Sequence, residues 1–222
     1  MKNNGFTLIE LVVVIVILGI LAATAAPKFM DLKSDAVHAS LLGLKGNLAS
    51  AINISHAKMV MYQNTGVGDN SQGGDCDINP KNPGCIEIAK GLNVRVKSGY
   101  PDRSEIYKIV DADILVHSVY NIPTRCDQLP EAQLTCEGHD YCFCGLGGGS
   151  GIGDIRSSLH VEQPNNIKVS DISVFWPRGY TIEKSLKRKG QCYMVYVQPA
   201  KAGSGSPTYN SAGVLQIFND GC

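Results

Sequence analysis

The side chains with the most chemistry to offer are eight cysteines, all of them after residue 75. Cys136, His139, Cys142 and Cys144 fall in one short stretch, and three thiolates with an imidazole at such spacing could hold a zinc ion. In an oxidising compartment the same thiols pair instead, and eight cysteines allow on the order of a hundred connectivities. Proximity favours Cys76 with Cys85, which bound a short segment rich in Asn and Pro. A direct bond between Cys142 and Cys144 would be strained. Cys126, Cys136, Cys142 and Cys144 are therefore expected to pair among themselves, with Cys142 and Cys144 each taking Cys126 or Cys136.

Other suggestive patterns lack the surroundings their chemistry needs. Asp69, Asn70, Asp75 and Asp77 are oxygen donors without the regular alternation and terminal bidentate Glu of a calcium loop. Residues 145–153 (GLGGGSGIG) miss the spacings of a phosphate-cradling loop and follow a cysteine cluster rather than a strand. Ser157, Ser158 and His160 invite a catalytic reading, but neighbouring strand residues point to opposite faces and no activating loop is recognisable. Lys184, Lys187, Arg188 and Lys189 read as a solvated hairpin end. No catalytic site, cofactor or metal is expected, and the chain is not read as an enzyme.

Twenty basic and twenty acidic side chains cancel in 222 residues, so the one-signed field of a nucleic-acid binder is missing and no nucleic-acid partner is expected. The averages hide an uneven layout. Between residues 6 and 26 the only ionisable side chain is Glu10, and a helix of that length matches a hydrocarbon core of roughly 30 Å. The run is too long for the apolar part of a cleaved secretory signal. A carboxylate within such a span costs about 2.5 to 3.5 kcal/mol on insertion scales and is rarely kept without a partner. A cut between Gly5 and Phe6 would supply one, by creating an α-amine one helical turn from Glu10. Amine and carboxylate could then pair within a chain or between adjacent copies.

A short basic leader ending in Gly5, followed by Phe6-Thr7-Leu8-Ile9-Glu10 and a long aliphatic run, resembles the class III signal of type IV pilins and related pseudopilins. The resemblance implies cleavage after Gly5 by a prepilin peptidase, N-methylation of Phe6, and docking into a self-assembled filament directed by Glu10. It also implies an assembly platform with a cytoplasmic ATPase, residence in the inner membrane before assembly, and an extracellular filament serving adhesion afterwards, its adhesion ligand unidentified. Residues 26–32 (APKFMDL) are similar to the mannose-sensitive haemagglutinin branch of type IVa pilins. A bridge from Cys192 to Cys222 would match the disulfide loop that closes the carboxy-terminal region of these pilins. The alternatives are a pseudopilin of type II secretion and a membrane-anchored surface-binding protein that does not polymerise.

The elements that position these residues follow from periodicity. Residues 27–62 continue the helix, because Leu41, Leu44, Leu48, Ile52 and Met59 recur at three- and four-residue intervals among polar side chains. Gly19 and Pro27 are its weak points, and the pilin resemblance implies that the stretch between them melts when the subunit leaves the bilayer. Residues 63–91 read as a loop region with a local disulfide. Within residues 92–222, alternating segments at 92–97, 114–120, 159–162, 167–176, 191–198 and 214–218 predict an antiparallel sheet. The expected fold is α+β, with a leader of residues 1–5, a hydrophobic half-helix at 6–26, and an amphipathic half-helix packed on that sheet.

Overall fold

The computed structural model describes residues 7–63, 76, 84–97, 99–119, 122–123, 126–145, 172–183, 191–198 and 214–222. The fold is α+β and divides into two compact units, Met1–Ala39 and Ser40–Cys222. The first unit is helical. Helix α1 (Leu8–Gln63) begins there and is unbroken through Gly19 and Pro27. From Leu8 to Leu21 its large aliphatic side chains are all exposed. Thr24 Oγ1 bonds back to the carbonyl of Leu21 at 3.0 Å, which satisfies the hydroxyl within the helix itself.

In the second unit α1 buries Leu41, Leu44, Leu48, Ile52, Ser55 and Met59, the single stripe that a 3.6-residue repeat demands. Ser55 is tolerated in that stripe because its hydroxyl donates to the Ala51 carbonyl at 2.7 Å. Three short strands meet the end of the helix: β1 (Cys85–Ala89), β2 (Leu92–Lys97) and β3 (Tyr100–Pro101), in the order β1-β2-β3. The β1–β2 turn uses Gly91 at φ 81°, a conformation in which a side chain would be strained. Met59 packs on Ile86 and Val96, while the His56 ring stacks on Tyr100 at 4.3 Å.

Seven further strands follow: β4 (Ile114–Val116), β5 (Ser118–Val119), β6 (Ile122–Pro123), β7 (Tyr141–Gly145), β8 (Ile172–Pro177), β9 (Tyr193–Val197) and β10 (Val214–Phe218). Among the described residues β5 and β6 form a small ladder, and the main sheet has five strands in the order β10-β9-β8-β7-β4. Alternation along these strands divides the core into two layers. Cys142, Cys144, Val174, Trp176, Tyr193, Val195 and Phe218 share one cluster with Cys126, Leu129, Leu134, Cys136 and Ile182, so the segment of residues 126–136 covers this face. On the opposite face Phe143 packs against Phe175 at 4.8 Å and Tyr107 at 5.2 Å. Tyr141 there donates its hydroxyl to the Ser40 carbonyl at 3.1 Å and also bonds Ser40 Oγ. Tyr196 donates to the Pro101 carbonyl at 3.0 Å.

Several expectations need correction. The main sheet is not wholly antiparallel: β4 and β7 run parallel, a pairing that a long connection rather than a tight hairpin permits. The strand expected at 114–120 divides at His117, its halves joining different sheets. The stretch read as loop to residue 91 contains β1, and β7 occupies a cysteine cluster that alternation did not mark as a strand. The strand expected at 159–162 and the first part of that at 167–176 lie outside the described residues.

Candidate assembly site and disulfide clasps

Helix α1 opens with a reciprocal cap. Glu10 Oε2 accepts from the Thr7 backbone N–H at 2.8 Å and from Thr7 Oγ1 at 2.7 Å, and the Glu10 N–H donates to Thr7 Oγ1 at 3.4 Å. This is the capping box that Thr-x-x-Glu encodes, satisfying amide donors that an α-helix leaves without partners in its first turn. Sequence reasoning had given Glu10 one role, to meet an amine, and missed this one, although the Thr7-to-Glu10 spacing was its signal. The cap uses a single carboxylate oxygen, and both capping residues stay on the chain if it is cut after Gly5. Gly5 and Phe6 themselves lie outside the described residues.

Behind the cap, Leu8–Ala25 is long and apolar enough to cross a membrane and contains no buried side chain. Exposure of its large aliphatic residues runs from 42% at Val12 to 81% at Leu8. Burying such side chains is worth about 1.5 to 3 kcal/mol each. A run of this length therefore has a strong drive to be covered by something outside its own unit.

The second unit is closed by four disulfides: Cys76–Cys85, Cys126–Cys144, Cys136–Cys142 and Cys192–Cys222. Cys142 and Cys144 point to the same face of β7, so two bonds fasten the covering segment of residues 126–136 to one strand. Cys192 precedes β9 and Cys222 follows β10. Their bridge is reinforced by the Gly221 N–H to the Gln191 carbonyl at 3.0 Å and by the Tyr180 hydroxyl to the Cys222 carbonyl at 2.9 Å. In the zinc-like stretch Cys136 is bonded to Cys142, and Cys144 to Cys126 outside it. Among the described residues no group of three or more His, Cys, Asp or Glu side chains is placed to hold a metal. His139 instead pairs with Asp113 at 2.7 Å, and this hydrogen bond holds the Asp113 carboxyl below its usual range.

Burial also shifts the protons of Glu105 and His117. Burial pushes the Glu105 carboxyl up, against the opposing pull of the Arg95 backbone N–H at 2.7 Å and of the Lys108 and Arg95 cations. His117, stacked on Trp176 at 5.7 Å, is held below the ordinary imidazole range by burial. Asp69, Asn70, Asp75, Asp77, Ser157, Ser158, His160 and the basic run at 184–189 lie outside the described residues.

The chain thus combines a capped aliphatic helix long and apolar enough to cross a membrane with a sheet domain closed by disulfides. Comparison with known proteins goes further. The family model described as the prokaryotic N-terminal methylation motif matches residues 1–26. A curated relative, the type IV narrow pilus major component PilA5 of Thermus thermophilus, is 47% identical over 55 residues, which is 25% of this chain and 47% of that protein. The match thus spans about half the length of the curated relative. No solved structure matches the chain. The chain carries the prokaryotic N-terminal methylation motif at residues 1–26 and is similar over 55 residues to a type IV pilus component.

Proposed function

We propose that the chain is the structural subunit of a type IV pilus, held by α1 in the inner membrane and then packed with copies of itself into an extracellular filament. The observation that carries this reading is the exposed Leu8–Ala25 segment, lying within a matched methylation motif and containing one carboxylate. A prepilin peptidase would cut after Gly5 and methylate Phe6. An assembly platform and its ATPase would then extract the subunit. The Glu10 carboxylate, with one oxygen left over from its cap, would meet the terminal amine of an adjacent copy and set the stagger between helices. The likeness of residues 26–32 to the mannose-sensitive haemagglutinin branch supports a surface fibre used for attachment. Electron microscopy of cells with and without the chain tests the proposal. Long surface filaments that vanish on deletion and contain the chain support it, whereas a membrane-retained monomer would favour an anchored binding protein.

A further inference from the structure

Among the described arginines, Arg95 faces Glu105 at 3.2 Å and Arg178 faces Asp140 at 2.9 Å. Arg103 differs. Its side chain is partly buried, yet no described residue gives its guanidinium a hydrogen bond or an ion pair. The carboxylates nearest in sequence are spent elsewhere. Asp102 Oδ1 accepts from the Ser104 N–H at 2.8 Å and from Ser104 Oγ, while Glu105 is taken by Arg95 and Lys108. Drawing a guanidinium partly out of water is costly, and arginine is seldom kept there without a partner. We propose that Arg103 is paired between molecules, its guanidinium receiving a carboxylate from an adjacent copy of the chain in the filament.

The fold holds this cation in place. The Arg103 N–H donates to Gln198 Oε1 at 3.3 Å, and its carbonyl accepts from Ser173 Oγ at 2.6 Å. Gln198 and Ser173 are 1% and 0% exposed, so two buried polar side chains fix the backbone of a residue that belongs to no strand. At Gly145, the last residue of β7, an added Cβ would stand 2.8 Å from Arg103 Nη1. Glycine there leaves the guanidinium room to lie against the end of the strand. A guanidinium held in this way offers its fork of donors to a planar carboxylate through two parallel hydrogen bonds.

An adjacent copy is the occupant that charge favours. The inference rests on the function proposed above, in which copies pack together. Asp111, Glu131, Glu137 and Asp220 are exposed, and no described residue partners their carboxylates. Each copy thus carries acidic groups able to answer Arg103 of its neighbour. Closing such a pair off from water strengthens it. It also selects the register of packing, because like charges brought together are strongly disfavoured.

The test labels arginine with phenylglyoxal and reads Arg103 by peptide mass, in sheared filaments and in the same filaments dissociated in detergent. Arg103 should be protected in the filaments and reactive once they dissociate. Arg103→Gln keeps the backbone bonds to Gln198 and Ser173, so thermal unfolding of the solubilised chain should be unchanged. Filament number should nevertheless fall roughly tenfold or more, as loss of one side of a desolvated charge pair implies. Equal reactivity in filaments and dissociated subunits overturns the proposal, as does a normal filament number from Arg103→Gln. A lowered melting temperature in that variant would make Arg103 a structural residue of the domain and overturn it too. Protection that appears only on adding an acidic polysaccharide, polygalacturonate, would assign Arg103 to an outside ligand and not to a copy. If the unsubstituted chain forms no filaments at all, the function proposed above fails and this inference falls with it.

Discussion

Leu18 and Leu48 lie on the same helix, yet Leu18 is 57% exposed and Leu48 is fully buried. The difference is in what the rest of the chain supplies. From Ser40 onward the apolar stripe has covering elements in its own unit, and β7, β8 and β9 are buried along their whole length. From Leu8 to Ala25 no side chain is buried. One region is completed by its own sequence. The other finds no such cover within its own unit, as the function proposed above needs of a segment that passes from lipid to neighbouring copies.

The comparison predicts that substitutions separate cleanly by region. Phe175→Ala removes a fully buried ring packed on Phe143, and should cost about 3 to 5 kcal/mol of domain stability. Leu18→Ala should leave thermal unfolding of the detergent-solubilised domain unchanged while reducing filament number. A matching loss of domain stability in the Leu18 variant would break the distinction. Next in size, Cys192→Ser/Cys222→Ser opens a loop with a sequence separation of 30, for which the chain-entropy argument gives roughly 3 to 4 kcal/mol. Limited proteolysis should then cut near β10 first, with membrane insertion unaffected. Unchanged protease resistance would remove the bridge from the stability account.

Smaller effects sharpen the account of the helix start. Thr7→Ala removes half of the capping box and should cost the helix about 0.5 to 2 kcal/mol, visible as faster amide exchange in the first turn. Glu10→Gln divides the two roles of that residue, since Gln also serves a capping box but carries no charge. If the charge directs assembly, Glu10→Gln assembles as poorly as Glu10→Ala. Normal filaments from Glu10→Gln alone would mean that the cap is what matters.

The smallest effect is in pH. Because burial lowers the His117 pKa, the unfolded chain binds a proton there before the folded chain does, and domain stability is lost as pH falls through the ordinary histidine value of about 6.5. Glu105, with its pKa raised, acts in the opposite sense, gaining stability as pH falls toward the ordinary carboxylate range. His117→Phe should therefore flatten the melting temperature between neutral and mildly acidic pH. An undiminished slope in that variant would assign the acid sensitivity elsewhere.

Much of the fold could be read from residue spacing, and the exceptions have physical causes. The helix announced itself through a stripe with few competing signals, and strands β2 and β10 were bounded by turn residues and filled with Val, Leu, Ile and Phe. Strand β7 was hidden because Tyr-Cys-Phe-Cys-Gly is apolar on both faces, as suits an inner strand covered on both sides, and so shows no alternation. Alternation also carries no direction, which is why the parallel β4–β7 pairing could not be anticipated. At the helix start, a single carboxylate in an aliphatic run drew attention to charge and away from the Thr7 hydroxyl three residues before it.

The central claim, that the amino-terminal helix is processed and then completed by other copies of itself, is tested most directly by the mass and amino-terminal fragmentation of protein sheared from cells. The account predicts a chain that begins at Phe6 and carries one added methyl group on its terminal nitrogen. Sheared filaments whose subunits still contain residues 1–5 would contradict it.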